Sequence, residues 1–142
     1  MIKQRRCIPE FFKFGVSGTV GFLVDAGGVT VLTRGVGMHP LPAQFYAFSV
    51  AVTTTWLINR NWTFAGRTSE RRIHEWTRYV AANSLGALIN NIVYATLVLT
   101  LSLFAHWPQL AVAAGSVAGM CVNFVTSSQL VFIRPRDHDS GA

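Results

Sequence analysis

The sequence predicts an all-α membrane protein, with four transmembrane helices arranged as two parallel-repeat helix pairs. Three observations predict it. Only 13% of the residues are charged while 51% are hydrophobic, whereas a soluble domain carries roughly 25% charged residues. Four apolar runs approach or reach the ~20 residues needed to cross a bilayer as a helix. The first two runs also resemble the last two, position by position.

The chain of 142 residues allows one domain. The first run covers residues 14–33 and contains a single charge, Asp25. The second covers 43–58, extendable to 64, and Pro40 and Pro42 before it suit a helix start. The third covers 79–104. The fourth covers 110–133, with Pro108 before it and Pro135 after it. Short connections at 34–41 and 105–109 join the members of each pair. The middle connection, 59–78, is longer and polar. Residues 1–10 form a basic arm, 11–133 the membrane domain and 134–142 a tail.

Loop charge sets the orientation. Eleven of the twelve Lys and Arg residues fall in the segment before the first run, the middle connection and the tail, and only Arg34 falls on the other side. The segment before the first run holds Lys3, Arg5, Arg6 and Lys13, the connection Arg60, Arg67, Arg71, Arg72 and Arg78, and the tail Arg134 and Arg136. These segments, and so both termini, are expected in the cytoplasm. The first run is not read as a cleaved signal, because no small-x-small site follows a short apolar core and Asp25 interrupts it. Within the middle connection, residues 68–78 read as a short amphipathic surface helix, with Ile73, Trp76 and Tyr79 toward the interface, or as a solvated loop.

The net charge of +6 could suggest nucleic acid. The cations sit in short segments between apolar runs, however, and no nucleic-acid partner is expected. Cys7 and Cys121 have no framework spacing and read as free thiols. His39, His74, His106 and His138 lack metal-ligand spacing, so neither a metal nor a cofactor is expected. There is no P-loop, GxSxG, metal cluster or carboxylate pair, and the chain does not read as an enzyme.

Ser17, Gly21 and Asp25 recur as Ala82, Gly86 and Asn90 at an offset of 65. Ala47, Ala51, Thr55 and Asn59 recur as Gly115, Gly119, Asn123 and Ser127 at an offset of 68, and Trp62, Thr63 and Phe64 are echoed by Leu130, Val131 and Phe132. Steps of four place each set on one helix face. The small residues let backbones approach in lipid, and the polar residues must turn inward to find partners. Four such faces would converge on a small polar cavity. Both halves enter the membrane from the same side, so the repeat is parallel.

Asp25 is the one acid deep in a span. That makes it a candidate for binding or proton uptake; its other readings are a protonated acid bonded between helices, or one near the outer headgroups. Asn59 and Arg60 close the second span beside Trp62. An Arg fork suits phosphate and Trp suits the headgroup level, although an ordinary interfacial anchor has the same composition. Asn90, Asn123 and Gln129 are further polar candidates. Lys13, Arg78 and Arg134 either ring the cytoplasmic mouth or attract anionic lipid.

Two stretches resemble the GtrA-like family. One is Phe11, Phe12, Lys13, Phe14, Gly15, Val16, Ser17 and Gly18, with Asp25 following. The other runs from Trp56 into an Asn-Arg-x-Trp-Thr-Phe pattern at Asn59, Arg60, Trp62, Thr63 and Phe64. Val122, Asn123 and Phe124, with Val131 and Phe132, are similar to the family's fourth span. The chain departs from it at Ser128 and Gln129, where that span often carries an Arg. The resemblance covers about 11–133. It implies a bacterial cytoplasmic-membrane protein of cell-surface polysaccharide synthesis, which moves polyprenyl-phosphate-linked sugar or assists the membrane glycosyltransferase. On that reading Arg60 and Asn59 hold the phosphate, while Asp25 and Asn90 on the polar faces pass the sugar. The expected partners are the lipid-linked sugar, a glycosyltransferase, membrane lipids and, because four helices make a thin wall, a second copy of the chain. A proton-coupled exporter of small cations shares the four spans and the acid in the first, but not the Asn-Arg-x-Trp-Thr-Phe pattern.

Overall fold

The computed structural model describes residues 4–133, and those residues form helices with no strand. Helix α1 spans Gln4–Thr30, α2 Pro40–Ile58, α3 Arg72–Thr100, α4 Ser102–His106 and α5 Pro108–Thr126. Three segments continue as single turns of π-helix: Val31–Gly35 after α1, Asn59–Thr63 after α2 and Ser127–Val131 after α5. Lys3, Pro135, Arg134, Arg136 and His138, and with them the expected tail, lie outside the described residues, as does the side chain of Cys7. Cys121 is a free, exposed thiol.

Helix starts follow the sequence cues. Pro40 and Pro108 occupy first turns, where a missing N–H costs nothing. His39 caps α2 by accepting the Leu41 N–H through Nδ1 at 3.4 Å. Gly37 and Gly66 take φ of 75° and 84° and reverse the chain after the first two π turns, a backbone region open chiefly to glycine.

Three boundaries differ from expectation. α1 begins ten residues early and carries the expected basic arm as helix from Gln4 onward, with Pro9 inside it. The expected surface helix at 68–78 is the first part of α3, which runs unbroken for 29 residues. Of its three interfacial side chains, Ile73 is 81% exposed but Tyr79 is buried, as is Glu75. The third run also ends earlier, at Thr100, where Leu101 turns extended (φ −123°, ψ 117°) before the short α4.

Among the described residues, three segments are long and apolar enough to cross a membrane: Ile8–Gly35, Arg72–Thr100 and Leu110–Val131. α2, although 19 residues long, is not among them. Gln44, Ser49, Thr53, Thr54 and Thr55 lower its hydropathy. Local bonding eases the cost of these polar groups. Ser49 and Thr54 donate to the carbonyls of Phe45 and Val50 four residues back at 2.7 and 2.8 Å, and Thr53 donates to Ser49 at 2.7 Å. Each donor is thus satisfied within its own helix, as an apolar surrounding requires.

The chain divides into two compact units, one holding α1, α2 and Phe132, the other Ile73–Val131. In the first, α1 and α2 pack through small residues. A Cβ on Gly21 would overlap the Thr55 methyl, and one on Gly28 would come within 3.0 Å of Ala47 Cβ. Ser17 Oγ donates to the Thr55 carbonyl across the same seam at 3.4 Å. Phe64 stacks on Phe132 at 4.8 Å and packs tilted against Phe14 at 6.1 Å. In the second unit, α3 and α5 also meet at glycines. A Cβ on Gly86 would overlap the Asn123 amide, one on Gly115 would overlap Asn90, and one on Gly119 would fall 2.7 Å from the Gly86 carbonyl.

The buried positions recur at the spacings found in the sequence. Ala43, Ala47, Ala51, Asn59, Thr63 and Phe64 are buried, and so are Ala111, Gly115, Gly119, Ser127, Val131 and Phe132, each 68 residues later. Phe14, Ser17 and Gly21 are buried, and so are Tyr79, Ala82 and Gly86, each 65 residues later. The π turns Asn59–Thr63 and Ser127–Val131 stand 68 apart as well.

Candidate functional site

The richest chemistry lies where α2 ends. The π turn Asn59–Thr63 widens the helix there, and such insertions often mark functional positions. Asn59 is 1% exposed and its Oδ1 accepts the Thr63 hydroxyl at 2.7 Å. The Phe64 N–H closes the turn by donating to the Asn59 carbonyl at 2.8 Å. Asn59 therefore braces the turn and sets the direction of Arg60 rather than offering its own amide outward.

Arg60 is half-buried. Its guanidinium carbon lies 5.7 Å from the Trp56 ring centre and Nη2 donates to the Ser69 carbonyl at 3.0 Å. Trp62 is 44% exposed, with Lys13 Nζ 5.5 Å from its ring centre. Lys13 comes from α1 and Arg60 from the α2 end, so two cations and two indoles share one end of the first unit. Cations over indole faces at this range are attracted by the ring quadrupole. The set is amphipathic, with aromatic bodies for acyl chains and positive heads for an anion.

A third cation, Arg67, is tied down beside them. Arg67 pairs with Glu10 of α1 and lies 5.8 Å over the Phe64 ring. Both side chains are less than a fifth exposed. This bridge fixes the loop after the π turn to α1. The sequence reading counted Arg67 only as loop charge and gave Glu10 no role, because nothing in residue spacing joins positions 57 apart.

Asp25 sits away from this end. It is half-buried, and both carboxylate oxygens accept from Gln44 Nε2, each at 3.2 Å. Gln44 lies four residues into α2, so the pair links α1 to the start of that helix. Gln44 was not among the expected site residues, although it is the only amide between Pro40 and Ile58.

Asn90 and Asn123 belong to the α3–α5 seam of the second unit. Asn90 lies against Gly115 and Gly119, and Asn123 against Gly86. Asn123 Oδ1 and Ser127 Oγ are buried with no hydrogen-bond partner among the described residues. Gln129 is exposed on the last π turn, beside a half-buried Ser128 whose hydroxyl donates to the Val125 carbonyl at 3.1 Å. Arg78 is exposed on α3, and Arg134 lies outside the described residues. The first unit thus gathers Asn59, Arg60 and Trp62, and holds Asp25 toward the other end of the pair. The second pairs Asn90 with Asn123 along one seam. No group of His, Cys, Asp and Glu among the described residues could hold a metal ion.

The GtrA/DPMS transmembrane domain matches residues 13–132. This domain occurs in membrane proteins of polyprenyl-linked sugar or polysaccharide synthesis. No curated protein matches the chain. The match begins at Lys13 and ends at Phe132, so it reaches into both units and takes in Asp25, Asn59, Arg60, Trp62, Asn90, Asn123 and Gln129. By that coverage the chain belongs to the GtrA/DPMS transmembrane-domain family.

Proposed function

We propose that this protein moves a polyprenyl-phosphate-linked sugar across the bacterial cytoplasmic membrane for cell-surface polysaccharide synthesis, with both termini in the cytoplasm. The observation that carries the reading is the end of α2, where Lys13 and Arg60 flank Trp56 and Trp62. A phosphate diester on a prenyl tail needs a cation with directional donors and an apolar body at one depth. Arg60 supplies the fork, Lys13 the second charge and Trp62 the exposed ring. Asn59 and Thr63 position the turn. Asp25 and Gln44 offer hydroxyl-binding groups farther along the α1–α2 pair, while Asn90 and Asn123 line the α3–α5 pair, with Gln129 on the turn beyond α5. No covalent step is involved.

We read α2 as a fourth span, and α1–α2 and α3–α5 as parallel repeats. The shared spacing of 68 between π turns and between buried positions supports this. The test of transport is transfer of polyprenyl-phosphate sugar in proteoliposomes of the purified protein. Transfer above protein-free vesicles is expected, and none would overturn the reading.

A second reading, an accessory subunit that docks a membrane glycosyltransferase, draws on the start of α3. There Arg71, Arg72, Ile73 and His74 are all exposed. Co-purification with such an enzyme, loss of its activity on deletion and absence of transfer would favour it.

A further inference from the structure

α3 carries a second, outward line of residues that neither the α3–α5 seam nor the proposed site uses. Asn83, Ala87, Asn91 and Ala95 follow one another at steps of four and share a face. Asn83 is half-buried and the other three are exposed. The buried line of the same helix, Glu75, Tyr79, Ala82 and Gly86, lies on a different face. Leu85 and Ile92, both exposed, lie farther round the helix on an apolar side suited to lipid, with the exposed Leu88 between that side and the Asn91 line.

Asn91 is the unusual member. It lies at the middle of the apolar stretch 79–104, on a helix long and apolar enough to cross the membrane. One amide N–H donates to the Ala87 carbonyl at 2.8 Å. Its second N–H and its Oδ1 have no bond among the described residues, and the side chain is exposed. Asn83 repeats the arrangement one step earlier, donating to the Tyr79 carbonyl at 2.9 Å. Polar groups at this depth turn to a protein partner or a water-filled cavity rather than to hydrocarbon. Small residues between the amides let a second backbone come close. The matching positions of the first unit are Gly18, Phe22, Ala26 and Thr30. They hold no amide and place the exposed Phe22 where α3 has Ala87, so the line is particular to α3.

We infer that the Asn83, Ala87, Asn91 and Ala95 face of α3 is a homodimer interface that packs on the same face of a second copy of this chain. The occupant follows from hydrogen-bond complementarity. An asparagine amide is donor and acceptor at once, so this face is its own complement. Copies inserted in one sense meet about a twofold along the membrane normal, which sets α3 parallel to its mate. Asn91 then bonds Asn91 of the second copy, and Ala87 and Ala95 stand where the helices approach.

The test is disulfide trapping in native membranes. Cys7 and Cys121 are replaced by serine and single cysteines are placed at Ala87, Ala95, Leu85 or Ile92. Oxidation is expected to give a dimer at Ala87→Cys and Ala95→Cys, at least fivefold above Leu85→Cys and Ile92→Cys. Fluorescence transfer between labelled copies in phosphatidylcholine vesicles is expected to fall severalfold in Asn91→Leu, which keeps its bulk but loses the amide. Equal cross-linking at all four positions, none at the alanines, or adducts only with a protein of different mass would overturn the interface. None of these readouts depends on sugar transfer, so the interface stands or falls apart from the transport reading.

Discussion

The two helix pairs close on glycine in the same way and satisfy their polar groups differently. In α1–α2 the residue against Gly21 is Thr55, and in α3–α5 the residue against Gly86 is Asn123, its counterpart at 68. Around the first contact Ser17 bonds the Thr55 carbonyl, Thr63 bonds Asn59 and Gln44 bonds Asp25. Around the second, Asn123 Oδ1 and Ser127 Oγ are buried without partners among the described residues. The charges differ too. Asp25 faces Asn90 in the alignment of the halves, Arg60 faces Ser128 and Trp62 faces Leu130. Tight glycine contacts therefore occur in both pairs, while the Arg60 and Trp62 side chains have no cation or indole at the positions 68 residues later. A lipid phosphate would be bound asymmetrically, by the first unit.

The most damaging changes should be those that fill the shared glycine contacts. Overpacking a tight contact costs about 1–3 kcal/mol. Gly86→Ala forces the Asn123 amide aside, and Gly21→Ala forces a β-branched Thr55 that is stiff in a helix. Each is expected to lower the unfolding midpoint of the detergent-purified protein clearly. If the contacts are equivalent, each has its own rescue: Asn123→Ala should restore Gly86→Ala, and Thr55→Ser should restore Gly21→Ala. Rescue of only one would break the equivalence.

The next change separates satisfied from unsatisfied polar groups. Asn59→Ala leaves the Thr63 hydroxyl without its acceptor in a buried turn, a loss of about 1–3 kcal/mol. Ser127→Ala removes an oxygen that bonds nothing among the described residues and should be neutral or slightly stabilising. Comparable losses at both, by thermal unfolding, would contradict the contrast. Smaller still is the Glu10–Arg67 bridge. Glu10→Gln keeps the shape and removes the charge, and the expected cost is ~1 kcal/mol or less, shrinking in high salt. A loss of similar size that ignored salt would argue for shape rather than charge.

Much of this arrangement was legible in the residues. Apolar run length and the prolines at 40 and 108 predicted the helices, and the small residues at steps of four, Ser17, Gly21, Ala47 and Ala51 with Ala82, Gly86, Gly115 and Gly119, are buried. Arg60 and Trp62 could be singled out because an Arg beside a Trp at the end of an apolar run has a defined use. The rest depends on tertiary contact or backbone geometry. Asn59 read as a ligand because an amide beside an Arg suggests one; that its Oδ1 also accepts the Thr63 hydroxyl within the π turn is tertiary detail no residue spacing gives. Asp25 was read against hydrocarbon, and Gln44 supplies the partner that a one-dimensional pattern does not reveal. The helical start of α3 read as a separate surface element because its charges break the apolar run, yet the backbone hydrogen bonds continue through them. α2 shows the opposite strain: its threonines lower the hydropathy of a segment whose hydroxyls are satisfied inside the helix.

The central claim is that one half carries the phosphate contact. Transfer of polyprenyl-phosphate sugar in proteoliposomes, compared between Arg60→Ala and Ser128→Ala, tests it directly. Arg60→Ala is expected to reduce transfer about tenfold or more, equivalent to ~1.4 kcal/mol of lost interaction, while Ser128→Ala leaves it within about twofold of the parent on the same scale. Equal effects of the two substitutions, or full transfer in Arg60→Ala, would contradict the account.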